Sequence, residues 1–205
     1  MSTSALNLRV NATRIATMES KVCTTSKQLM GWTLGLIHIE QGDNYNKFIA
    51  AVLRKGGAEG WVQVELDQRY KTLPNVAWVQ CEQAIFQDRN EKVDFLISCR
   101  GGSTACVELK VESLFQSADL GRSTMPHRQW TLVSSDITKL TLGRSAAYAQ
   151  APAYVVAILS SPEAIAGLDT WLRSSGLAYL REVYPTDHDG VQYPVTVYVI
   201  IITGD

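Results

Sequence analysis

Val93–Glu112, VDFLISCRGGSTACVELKVE, carries the reading of the fold. Two apolar runs flank a Gly101-Gly102-Ser103 loop, which is the pattern of two strands joined by a turn. Asp94 lies near the start of the first strand, and Glu108 and Lys110 lie on the second. Side chains alternate faces along a strand, so Glu108 and Lys110 share one face while Val107, Leu109 and Val111 share the other. A carboxylate and an ammonium on the polar face of an otherwise apolar strand are costly unless they serve each other or a ligand. Two carboxylates beside an ammonium suit a hard divalent cation, with the lysine left to orient a water or offset phosphate charge.

The flanking segments extend this into an α/β pattern. Ser26 is the expected N-cap of a helix whose Leu29, Trp32, Leu36 and Ile39 recur at helical spacing. Asp43 caps a second expected helix that stops at Gly56-Gly57. WVQVELDQRY, from Trp61, fits a short strand or a helix equally. AWVQCEQAIFQ and KVDFLISC surround the polar Asp88–Glu91 turn and read as a hairpin, with Glu82 on its first strand. SLFQSADLGRSTMPHRQWTL is expected to be a long loop beside the site, with Arg122, His127 and Arg128 to meet phosphates and Trp130 to stack on a base or cover the core. A helix is expected over ITKLTLGRSAAYAQA after a Ser134-Ser135-Asp136 cap, then a buried strand AYVVAILS. Pro162 opens a further helix that Gly176 ends, and YPVTVYVIII is the last strand. Residues 1–25, rich in Ser, Thr and Asn, are expected to form an arm, with one domain over 26–205.

Asp94, a spacer, and then Glu108-Leu109-Lys110 on the next strand resemble the core of the PD-(D/E)XK nuclease superfamily. Val93 stands where the family pattern often has proline. The order helix, three-strand meander, helix, strand agrees with that resemblance. It implies a three-layer α/β/α sandwich with a central mixed sheet, restriction-endonuclease-like. It implies Mg²⁺ or Mn²⁺ on Asp94, Glu108 and the Leu109 carbonyl, with Lys110 positioning or activating the attacking water. It also implies an extra acid from a preceding helix, for which Glu40 is the first candidate and Asp43 the second. The expected substrate is nucleic acid, DNA before RNA.

Composition bounds these readings. At 46% hydrophobic and 19% charged the chain is globular, and 205 residues suffice for one full core. A formal net charge of −1 supplies no overall basic attraction to nucleic acid, which favours the alternative of a non-catalytic binding or assembly protein on a nuclease-like fold. A small-molecule α/β enzyme is the third class, but no GxSxG, HExxH or GxxxxGK motif supports it. None of Cys23, Cys81, Cys99 and Cys106 forms a CxxC pair, so a zinc knuckle is not expected, and Cys81 and Cys106 read as buried free thiols within strands. No apolar signal segment opens the chain and no run is long enough for a membrane helix, so a cytoplasmic protein without a membrane partner is expected. Monomer and homodimer both remain open.

Overall fold

The computed structural model describes residues 25–37, 43–52, 58–113, 116–117, 121–122, 126–184, 187–188, 191–192 and 194–203, with some side chains within them left aside. Its helices are α1 (Ser26–Ile37), α2 (Asp43–Val52), α3 (Glu59–Lys71), α4 (Pro126–Leu142) and α5 (Pro162–Ser175). Six strands, β1 (Val76–Gln83), β2 (Val93–Cys99), β3 (Thr104–Val111), β4 (Ala153–Leu159), β5 (Tyr179–Tyr184) and β6 (Val195–Thr203), form one sheet in the order β1-β2-β3-β4-β6-β5. Only β3 and β4 pair in parallel; the other neighbours are antiparallel. The architecture is therefore an α/β fold built on a mixed sheet.

Strand alternation supplies two separate cores. Phe95, Ile97, Val107, Leu109, Val111, Tyr154, Val156 and Val197 bury one side of the sheet with Leu29, Leu36, Phe48, Val62, Leu66 and Tyr70 from α1, α2 and α3. Leu96, Cys106, Val155, Ala157, Tyr198 and Ile200 bury the other side with Val133, Ile137 and Leu140 of α4 and Leu168 and Leu172 of α5. Every residue of β4 is buried, as expected for a central strand covered on both faces.

Local chemistry explains most element ends and several departures from expectation. The cap of α1 is Thr25 rather than Ser26: Gln28 N–H donates to Thr25 Oγ1 at 3.3 Å, and Thr25 N–H donates to Gln28 Oε1 at 3.0 Å, a reciprocal capping box. Trp61–Tyr70 is helical because Val62, Leu66 and Tyr70 form an apolar stripe at four-residue spacing that meets the sheet. α5 follows its sequence signals, with Ser161 capping Ala164 N–H at 3.2 Å, Pro162 in the first turn and Gly176 left-handed at φ 71°. α4 differs most. It begins at Pro126, ten residues before the expected Asp136 cap, and it stops at Leu142 instead of running to Ala151. A Cβ on Gly143 would lie 2.8 Å from the Lys139 carbonyl, so the chain needs glycine to leave the helix there. Arg144 then turns inward and donates to the Leu140, Tyr148 and Ala151 carbonyls at 2.6, 2.9 and 2.6 Å. β5, YLREVY, is an edge strand whose charged residues disguise it in the sequence.

Cys81 and Cys106 are free thiols as expected, but only Cys106 is buried, Cys81 being half-buried on the edge strand β1, whereas Cys99 is disulfide-bonded, a state that a reducing cytoplasm disfavours. Among the described residues no helix is long and apolar enough to cross a membrane.

Candidate functional site

The hairpin positions the first two acids. β2 and β3 pair with Phe95 opposite Val107, so the next residues outward, Asp94 and Glu108, face each other across the ladder. Asp94 Oδ2 accepts from Leu109 N–H at 2.6 Å and is thereby fixed to the strand that carries Glu108 and Lys110. The alternation expected on β3 is present: Val107, Leu109 and Val111 lie in the core shared with α1, α2 and α3, and Glu108 points to the α4 side. Glu108 is only 2% exposed.

Three further side chains complete a charged cluster. Glu59, in the first turn of α3, accepts from Val111 N–H at 3.2 Å and from Lys110 Nζ at 3.3 Å. Asp136 of α4 lies 3.5 Å from Lys110 Nζ through Oδ2, and one helical turn later Lys139 Nζ lies 2.6 Å from Glu108 Oε1. Lys139 also lies 3.7 Å from Asp136 Oδ1. The cluster thus holds four carboxylates (Glu59, Asp94, Glu108, Asp136) and two ammonium groups (Lys110, Lys139), and 2 − 4 gives a formal charge of −2 when all are ionised.

Burial sets the electrostatics. It pushes the Glu108 carboxyl up, Asp94 adds to the rise, and Lys139 opposes it. Burial likewise raises Glu59 against the pull of Lys110, and raises Asp136 against Lys110 and Lys139. For Lys110, burial acts downward but Asp136, Glu59 and Asp94 outweigh it, so this ammonium holds its proton above the ordinary lysine range. Lys139 behaves the same way under Glu108, Asp136 and Asp94. Asp94 acts on all five other members, which makes it the electrostatic centre of the group.

Two observations bear on a cation. Glu108 Oε1 and Asp136 Oδ2 are buried without a hydrogen bond; their lysine neighbours approach as ion-pair contacts outside hydrogen-bond alignment. One divalent ion would balance the formal charge of −2. Among the described residues no three His, Cys, Asp or Glu side chains converge into a ready-made metal cage.

The remaining candidates fall elsewhere. Glu40 lies outside the described residues, and Asp43 opens α2 with its side chain outside them. Among the described residues, the acid from a helix preceding the sheet that reaches the cluster is Glu59. Arg122 sits in a two-residue ladder with Gln116, and His127 and Arg128 lie in the first turn of α4 rather than in a loop; the side chains of all three are outside the description. Trp130 is partly buried against the α4–α5 core, so close that a Cβ on Gly167 would meet its Cδ1 at 3.0 Å. Trp130 therefore covers the core rather than standing exposed on a loop. Glu82 is exposed and has a positive φ of 55°, which sends its carboxylate to Gln63 Nε2 at 3.2 Å instead of to Asp94. Sequence reasoning missed Glu59, Asp136 and Lys139 as members of the site. The available signals were the i, i+3 spacing of Asp136 and Lys139 and the proline at the first position of α4.

No protein-family model, curated protein or solved structure matches the chain.

Proposed function

We propose that the chain is a metal-dependent phosphodiesterase acting on DNA, with a three-layer α/β/α, restriction-endonuclease-like architecture. One observation carries the reading: the β2–β3 register sets Asp94 opposite Glu108, with Lys110 two residues on, inside a buried cluster of formal charge −2. Asp94 and Glu108 would hold Mg²⁺ or Mn²⁺ with the Leu109 carbonyl, and the ion would supply Lewis-acid stabilisation of charge developing at phosphorus. Lys110 remains protonated, so it serves as a donor that orients the attacking water or a phosphate oxygen and not as a general base. Glu59 and Asp136 fix Lys110 from opposite helices and limit its rotamers. Conversion of supercoiled plasmid to nicked circles in Mn²⁺, abolished by chelator and by Glu108→Gln, tests the reading; intact plasmid with every divalent ion refutes it.

A second reading, a non-catalytic binding or assembly protein on the same scaffold, is favoured by one feature. Each acid already has a partner: Asp94 the Leu109 N–H, Glu59 and Asp136 Lys110, and Glu108 Lys139. On that reading the cluster is a structural ion-pair network, and divalent ions leave the melting temperature unchanged.

A further inference from the structure

We propose that the outer edge of β1 receives a second copy of this chain, the two β1 strands pairing antiparallel about Gln80 to join two six-stranded sheets. The inference goes beyond the proposed reaction and uses no residue of the charged cluster. β1 ends the sheet, and among the described residues no strand pairs with its outer side. An exposed edge is a template for a further strand unless charge or proline guards it. β1 is eight residues long, has no proline and no basic residue, and carries a single acid, Glu82, near its end. Trp78, 42% exposed, stands beside this edge.

The geometry of self-pairing selects the occupant. Residues directly opposite in an antiparallel pair share a face, so a two-fold axis sets one residue opposite its own copy. About Gln80, which is exposed and uncharged, Val79 meets Cys81 and Trp78 meets Glu82, and no like charges face each other. This register avoids the irregularity between Val76 and Trp78 and covers the half-buried Cys81 with Val79. α3 adds complementary charge. It runs against β1, with Gln63 at Glu82 and Asp67 at Cys81, so Lys71, one turn on, lies toward the start of the strand. Two-fold symmetry about Gln80 therefore turns the Asp67 of each copy toward the half-exposed Lys71 of the other. The opposite edge, β5, is guarded: self-pairing about its middle sets Arg181 or Glu182 against its own like charge.

Sedimentation equilibrium of the full chain in EDTA, from micromolar to near-millimolar protein, tests this on wild type and Gln80→Lys. Wild type is expected to associate reversibly to twice the 22.6 kDa of one chain. Gln80→Lys sets two ammonium groups together at the axis and should weaken the dimer at least about tenfold. Gln80 is exposed, so the variant should keep the wild-type circular dichroism spectrum. Hydrogen exchange on wild type supplies a readout that needs no variant: amides of Trp78–Glu82 should exchange more slowly at the high concentration than at the low one. A single-chain mass at every concentration overturns the inference. So does a dimer of undiminished strength in Gln80→Lys, or exchange in β1 that does not change with concentration, since either places the contact elsewhere.

Discussion

Asp94 Oδ2 accepts the backbone N–H of Leu109 at 2.6 Å, so one acid of the cluster is fastened to the strand that carries its partners. The bond uses an N–H midway between Glu108 and Lys110 and fixes Asp94 relative to both. Asp94→Ala orphans that N–H and should lower stability by about 1–3 kcal/mol in urea unfolding. Asp94→Asn keeps an acceptor and should recover most of the loss, yet bind Mn²⁺ no better than the alanine variant. Equal stability of the two variants would show that the hydrogen bond contributes little.

The burial of Glu108 fixes the sign of a pH effect. Its folded pKa is raised above its ordinary value of 4.5, so between the two values the native state holds more protons than the unfolded chain. Stability from this group is complete below 4.5 and is lost as pH rises toward the folded value. In EDTA, the stability of wild type relative to Glu108→Gln should therefore fall between about pH 5 and pH 8. A difference that grows with pH would mean that Lys139 outweighs burial.

The hairpin was legible in the sequence because its signals are local. Alternation in CVELKV and the Gly101–Ser103 loop specify two strands, and strand geometry then dictates that Asp94, Glu108 and Lys110 meet near one edge of the ladder. The helices that complete the site were not legible to the same degree. Glu59 opens a helix whose Trp61–Tyr70 segment mixes alternating and helical spacing, and only packing of Val62, Leu66 and Tyr70 on the sheet decides between them. Asp136 looked like a cap because three polar residues precede a fresh apolar run. It lies mid-helix because Pro126 nucleates earlier and Val133 already packs on the sheet. The edge strand Tyr179–Tyr184 escaped notice because exposure leaves it no apolar run to display.

The packed face of β3 should dominate stability. Leu109 is 1% exposed among α3 and β4 side chains, and Leu109→Ala should cost about 2–5 kcal/mol by chemical denaturation. Lys110→Ala should leave a cooperative folded protein, since Lys139 still lies 3.7 Å from Asp136. The reverse ranking would place the wrong face of the strand in the core.

Glu112 supplies a control outside the cluster. Its buried carboxylate accepts from Ser160 N–H at 2.7 Å and Ser161 N–H at 2.8 Å, and it also takes the Ser161 hydroxyl that caps α5. Glu112→Ala strands these donors and should destabilise by at least about 2 kcal/mol. Its Mn²⁺ affinity, titrated at a temperature where it remains folded, should match wild type. Loss of Mn²⁺ binding in folded Glu112→Ala would extend the metal site to this end of β3.

The most direct test is the Lys110→Ala variant assayed for both binding and cleavage. The ammonium is not a metal ligand, so the variant should bind Mn²⁺ within about threefold of wild type while plasmid nicking falls by at least about a hundredfold. Wild-type nicking rates in Lys110→Ala, or no Mn²⁺-dependent nicking by wild type itself, would contradict the proposed phosphodiesterase.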